Sequence, residues 1–203
     1  MKIAVIGATG NAGSRIVTEL VNRGHQVTGI ARHPEKMQAG AGLTLHKGDV
    51  KDEAGLAKLL AGHDAAVHSV RFLDTDARSA VGAAKKSGVK RFLVVGGAGS
   101  LEVAPGSALV DTPNFPPAYK AEASGGRDFL NTLKAERELD WTFLSPSVFF
   151  SPGERTGKFR LGKDQVLTGA DGQSKISMED YAIALVDEIE HPQHRRQRFT
   201  VGY

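Results

Sequence analysis

The 203-residue sequence contains no cysteine. This excludes a disulfide framework, thiolate catalysis and any cysteine-ligated metal, and it suits a reducing compartment. Long apolar runs are missing too. No stretch reaches the ~18 residues of a membrane-spanning helix, and the first apolar run is too short for the core of a signal peptide. The expectation is a cytoplasmic protein that stays off the membrane. Neither sign of charge dominates: 26 Lys and Arg stand against 23 Asp and Glu, a formal net charge of +3. Nothing in that balance asks for a nucleic-acid partner. The length fits a single domain over residues 1–203 with a sizeable core, and leaves no room for a separate substrate domain. No metal-ligand pattern is present.

Glycine is plentiful, at 24 residues, and its placement near the start is informative. Lys2-Ile-Ala-Val-Ile6 is a short β-branched run that reads as a buried strand, while Ile16, Val17, Leu20 and Val21 recur at helical spacing. Between them Gly7, Ala8, Thr9, Gly10, Asn11, Ala12 and Gly13 form a strand-to-helix turn. There a helix offers its unpaired N–H groups and positive dipole end to a phosphate. Gly7 permits a tight turn, Gly10 lets a pyrophosphate approach the backbone, and Gly13 lets the helix lie against the strand. An ordinary turn before a closely packed helix is the other reading. The strand–turn–helix context favours a dinucleotide.

His25 to Ala31 reads as a second strand. At its end an NAD enzyme places a carboxylate on the ribose 2′-hydroxyl, but this chain has Ala31, Arg32 and His33. A guanidinium binds a 2′-phosphate and stacks on adenine, so the expected cofactor is NADP(H). A third strand, Leu43–Lys47, leads to Gly48, Asp49 and Val50. Asp49 either meets the adenine edge or caps the following turn, and Asp52 is the better N-cap for the helix through Leu56, Leu59 and Leu60. Ala65 to Val70 reads as the fourth strand, with Ser69 at the mouth of the site and His68 as a structural histidine. A helix of small residues from Thr75 to Ser87 stops at Gly88. The fifth strand, Lys90 to Val95, runs into Gly96, Gly97 and Ser100, beside the expected nicotinamide ribose.

From Leu101 to Pro117 the pattern is irregular, as in a functional loop or lid. Tyr119 then opens a long helix carrying Phe129, Leu130 and Leu133. Asp140 to Ser145 is a sixth strand, and the Ser145-Pro146 turn is expected at the nicotinamide face. Phe115, Pro116, Tyr119, Phe149 and Phe150 either line a slot for a planar ring or serve as core and lid packing. Short strands are expected between Arg155 and Ser177. Ser177-Met-Glu-Asp180 reads as a capping box for a helix through Tyr181 and Ile189. The basic stretch His191 to Arg198 reads as a solvated loop before the last strand, Phe199 to Gly202.

Strands and helices alternate throughout, which predicts an α/β doubly wound parallel sheet of the Rossmann type with a small substrate-side insertion. With Gly7 to Gly13, Asp140-Trp-Thr-Phe-Leu-Ser-Pro146, Ser177-Met-Glu-Asp-Tyr181 and Arg198-Phe-Thr-Val-Gly202, nearly the whole chain resembles the atypical short-chain dehydrogenase/reductases with an NAD(P)H-binding domain. Within these it is similar to the NAD(P)H–flavin reductases and biliverdin-reductase-B-like proteins, near the NmrA-like group. The resemblance implies the fold and the cofactor, but not the substrate.

One departure bears on mechanism. Short-chain dehydrogenases acting on alcohols use Tyr-x-x-x-Lys, in which the lysine one turn away lowers the tyrosine pKa. Four residues after Tyr119 stands Ala123, and Lys120 points to a different helix face. The expected reaction is therefore hydride transfer from NADPH to a small planar acceptor, a flavin or quinone that takes its proton from water, with Tyr119 the candidate catalytic group. A non-catalytic NmrA-like sensor of NADP(H) is the alternative, and a nucleotide-sugar epimerase or dehydratase is disfavoured by the missing lysine. A monomer or weak homo-oligomer is expected.

Overall fold

Alternation within the first strand sets up two apolar layers. In β1 (Lys2–Ile6), Ile3 and Val5 face one core and Ala4 and Ile6 the other, all at most 2% exposed. A strand buried on both faces belongs inside a parallel sheet covered by helices on each side. The computed structural model describes residues 1–203 and shows that arrangement.

The other strands of this sheet are β2 (Gln26–Ala31), β3 (Leu43–Lys47), β4 (Ala65–His68), β5 (Arg91–Val95), β6 (Asp140–Pro146), β7 (Arg160–Gly162) and β8 (Gln197–Gly202). Across the sheet the order runs β3, β2, β1, β4, β5, β6, β8, β7, and only the edge strand β7 is antiparallel to its neighbour. The order reverses between β1 and β4, the point where such sheets open a crevice at their carboxyl ends. Helices α1 (Asn11–Asn22) and α5 (Met178–Glu190) cover one face, with Ile16, Leu20, Leu185 and Val186 against Ile3, Val5 and Val67. On the other face lie α2 (Glu53–Leu60), α3 (Ala77–Ser87) and α4 (Pro117–Ala135), which bring Leu56, Ala83, Phe129 and Leu133 onto Ala4, Phe92 and Val94.

The doubly wound sheet is as expected, and several local features differ. The fourth strand ends at His68 instead of Val70. The stretch 101–117 is more ordered than an irregular loop: 102–104 and 107–108 form a small hairpin, and 109–111 a 3₁₀ turn. Its Glu102 amide donates to the Asp164 carbonyl at 2.8 Å, which ties the hairpin to the segment just after β7. Ser177 is the N-cap of α5 and accepts from the Asp180 amide at 3.0 Å, but Asp180 does not reach back to close a box. Its carboxylate instead accepts from Thr156, the Gly157 amide and Tyr203. No helix is long and apolar enough to cross a membrane.

Candidate cofactor site

Each loop glycine has its own physical task. Gly7 sits at φ +82°, and a Cβ there would stand 2.1 Å from the Ser69 carbonyl oxygen, so the turn admits no side chain. A Cβ on Gly13 would meet the Gly7 carbonyl oxygen at 2.1 Å, which is how closely α1 sits on the turn. Gly10 differs. It is exposed, and a Cβ there would approach only the Gly7 oxygen at 3.2 Å and the Ser69 oxygen at 4.0 Å. The chain gives α1 no side-chain cap, and the amides of Asn11, Ala12 and Gly13 donate to no group of the protein. The helix therefore presents a row of free N–H donors beside an open glycine.

Gly10, just before these donors, lines a cavity of about 270 Å³ over the carboxyl ends of β1, β2 and β4, whereas Asn11, Ala12 and Gly13 lie outside its lining. Of the residues assigned to the cofactor from the sequence, Gly7, Thr9, Gly10, Arg32, Asp49, Val50 and Ser69 line it. Arg32 follows the last residue of β2, is exposed, and has no hydrogen-bond or ion-pair partner within the chain. His33 and Lys36 flank it on a 3₁₀ turn that Pro34 starts. Asp49 lines the cavity and also holds its turn, accepting from the Lys51 amide at 3.0 Å, while Asp52 caps α2 through the Gly55 amide. Arg71 and Asp74 form another wall. Their turn is clamped by Glu122 of α4, which accepts from the Phe72 and Leu73 amides at 2.8 and 3.1 Å.

Beyond β4 several expectations need correction. Gly96 is needed for strand packing: its amide donates to the Leu144 carbonyl at 2.8 Å, and a Cβ would stand 2.4 Å from the Phe143 ring. Gly97 is more open, since a Cβ there would have only the Phe72 ring near it, at 3.7 Å. Ser145 and Pro146 are buried in β6, and the Ser145 hydroxyl faces Arg198 at 3.5 Å, so neither side chain reaches the cavity. Phe150 packs on Tyr181 with ring centroids 4.7 Å apart and belongs to the core under α5. Phe149 is 62% and Tyr119 68% exposed, while Phe115 is half-buried. The five residues of the expected slot are therefore not gathered into one pocket. His68 is fully buried between Phe92 and Phe129 with Nε2 3.3 Å from Thr75 Oγ1. Burial pushes its pKa down to about 4, which marks a neutral core histidine.

Sequence reasoning passed over Lys36, Arg71 and Glu122, whose spacing carries no signal because they come from three separate segments. It also misjudged Arg198, read as the end of a solvated charge run. The strand begins at Gln197, two residues before the expected Phe199, and Arg198 is buried in it.

Against known proteins, the pattern described as NAD(P)H-binding matches residues 7–192. The chain belongs to this NAD(P)H-binding family. It is 44% identical over 211 residues to the uncharacterized protein YwnB of Bacillus subtilis, covering 99% of this chain and 98% of that one. Among solved structures, a candidate epimerase from Bacteroides thetaiotaomicron is 42% identical with a TM-score of 0.95, covering 100% of this chain and 96% of that chain. A candidate NADH-flavin reductase from Streptococcus pneumoniae is 38% identical with a TM-score of 0.88, covering 100% and 99%.

The residues present fit the family's dinucleotide. Gly10 opens a cradle that any Cβ would begin to fill, and the unpartnered amides of α1 supply the donors a pyrophosphate needs. The cavity lies over β2, β1 and β4, at the switch point where open α/β sheets take their ligands.

Proposed function

We propose that this member of the NAD(P)H-binding family is an NADPH-dependent reductase of a planar conjugated acceptor, a flavin or quinone. When bound, NADPH supplies a hydride to the acceptor ring and leaves as NADP⁺, and water supplies the proton that completes the reduction. Thr9, Gly10 and the amides of Asn11, Ala12 and Gly13 hold the pyrophosphate. Arg32, with Lys36 beside it, holds the 2′-phosphate, where a carboxylate would repel it.

The observation that carries the choice of acceptor is a set of exposed apolar side chains on segments that leave the carboxyl ends of β4, β5 and β6. They are Leu73 at 56%, Val103 at 49%, Tyr119 at 68% and Phe149 at 62% exposure. Large apolar side chains exposed on segments that leave one end of a sheet offer surface that a ligand or partner can cover. A flat ring needs such cover and proximity more than it needs a proton donor. Tyr119 contributes a ring edge. Its hydroxyl has no partner, and no lysine stands near enough in the helix to activate it. The lack of cysteine and the use of NADPH both suit the cytoplasm.

The test is oxidation of NADPH at 340 nm by the pure protein with a panel of flavins and quinones. Turnover with at least one planar acceptor and none with simple ketones is the expected result. No turnover with any of them would replace this reading by a sensor of NADP(H), in which a partner protein covers the same exposed side chains.

A further inference from the structure

Arg198 is a buried charge without a task so far. Its side chain is 4% exposed, and its guanidinium is shared between an acid and two hydroxyls. Nε and Nη2 donate to Asp164 Oδ1 at 2.9 and 2.7 Å, and Nη1 donates to Ser100 Oγ at 3.3 Å and Ser145 Oγ at 3.5 Å. Asp164 is half-exposed at 50%, so water shares its charge and the guanidinium is only partly offset.

Ser100 closes the 3₁₀ turn Ala98–Ser100 that follows the carboxyl end of β5, the edge of an open α/β sheet along which ligands bind. Its oxygen accepts from Arg198, and its own proton goes to no acceptor in the chain. A hydroxyl that accepts from a cation becomes a stronger donor, because hydrogen bonds in a row polarise one another. A simple tie between loops does not need this contact. The hairpin is already joined to 164–166 through its backbone, Glu102 N to the Asp164 carbonyl at 2.8 Å and Val166 N to the Glu102 carbonyl at 3.0 Å.

We infer that Arg198 is a positioning residue that holds the Ser100 hydroxyl and biases it to donate to an oxygen gaining negative charge on the bound planar acceptor. Ser100 and Arg198 together form a subsite for a ring oxyanion, such as the product side of a quinone or flavin carbonyl. The assignment rests on the reductase reading, and it concerns binding of charge as much as turnover.

The test uses 4-nitrophenol as a planar probe with saturating NADP⁺, its affinity measured by absorbance from the neutral to the phenolate form. Calorimetry of NADPH is run on the same proteins. Wild type should favour the phenolate by about tenfold or more, the scale of one charge-assisted hydrogen bond. Ser100→Ala should abolish that preference with NADPH affinity unchanged, and Arg198→Met should do the same. The double variant should be no worse than Ser100→Ala alone, because Arg198 acts through Ser100. Ser145→Ala, which removes the other hydroxyl on the same guanidinium, should keep the preference. Asp164→Asn keeps an acceptor but removes the offsetting charge, so it should bind phenolate at least as tightly as wild type. Ser100→Ala carries the test if Arg198→Met fails to fold. A wild type without phenolate preference, or one that Ser100→Ala leaves intact, overturns this assignment even where NADPH binds normally. Failure to bind NADPH overturns the cofactor reading itself and this assignment with it.

Discussion

Gly99 faces Ala123 so closely that a Cβ on the glycine would stand 2.6 Å from the alanine Cβ and 3.2 Å from its Cα. Helix α4 thus rests on the turn after β5 at the position where the alcohol-oxidising relatives carry the lysine of Tyr-x-x-x-Lys. In this chain a small residue stands there, in close contact with the turn.

Ala123→Lys should therefore fail to create carbonyl reduction. It should also destabilise the fold by about 1–3 kcal/mol, the usual cost of forcing extra methylenes into a packed contact. Urea unfolding checks the second part. Wild-type stability together with new ketone reduction would show that the site has room for the pair.

Gly10 and Gly13 should separate binding from folding. Gly10→Val places its branches in the open cradle, so NADPH affinity should fall more than tenfold while the circular dichroism and Tm stay near wild type. Gly13→Ala drives a methyl into the Gly7 carbonyl, so Tm should drop whether or not cofactor is present. Calorimetry and thermal scans of both variants test this, and identical behaviour would remove the special role of Gly10.

His68 predicts a pH dependence. Its folded pKa lies at about 4, below the ordinary 6.5, so the unfolded chain binds the proton more readily. Stability is then complete above about pH 6.5 and falls by up to about 1.4 kcal/mol per pH unit as pH drops toward 4. Urea midpoints between pH 5 and 7 leave most carboxylates out, and comparison with a variant at 68 separates His68 from the other histidines. His68→Gln, which cannot titrate, should flatten that slope. An unchanged slope would assign it to other groups.

The sequence made the glycine turn and the parallel sheet legible because each depends on residues adjacent along the chain. Gly7 to Gly13 lie within one turn of chain, and the β1 alternation needs only its own five residues. What stayed hidden depends on contacts between distant segments. Phe150 looks like a slot residue until Tyr181 is placed beneath it, and Ser145 looks like a turn residue until Arg198 is placed beside it. Arg198 was misread because a run of basic residues looks solvated until β8 carries one of them inside. Glu122 clamps the Arg71 turn across a separation that no local pattern reports.

Tyr119→Phe should cost little. With the hydroxyl in water and no activating lysine, turnover with a flavin or quinone should fall by less than tenfold, under about 1.4 kcal/mol in the barrier. Single-turnover rates at several pH values check it. A loss of ~10²–10⁴, the range of a positioned proton donor, would make Tyr119 the general acid after all.

The central claim is that the cavity beside the glycine turn takes the phosphorylated adenosine of NADPH, with Arg32 on the 2′-phosphate. Calorimetric titration of wild type and Arg32→Ala with NADPH and NADH, at low and high salt, tests it most directly. Wild type should bind NADPH more tightly than NADH, and Arg32→Ala should weaken NADPH by about ten- to a hundredfold, roughly 1.5–3 kcal/mol, while leaving NADH nearly unchanged. The difference should shrink with salt because Arg32 is exposed. Equal affinity of wild type for the two cofactors, or an Arg32→Ala variant that loses both alike, would contradict the account.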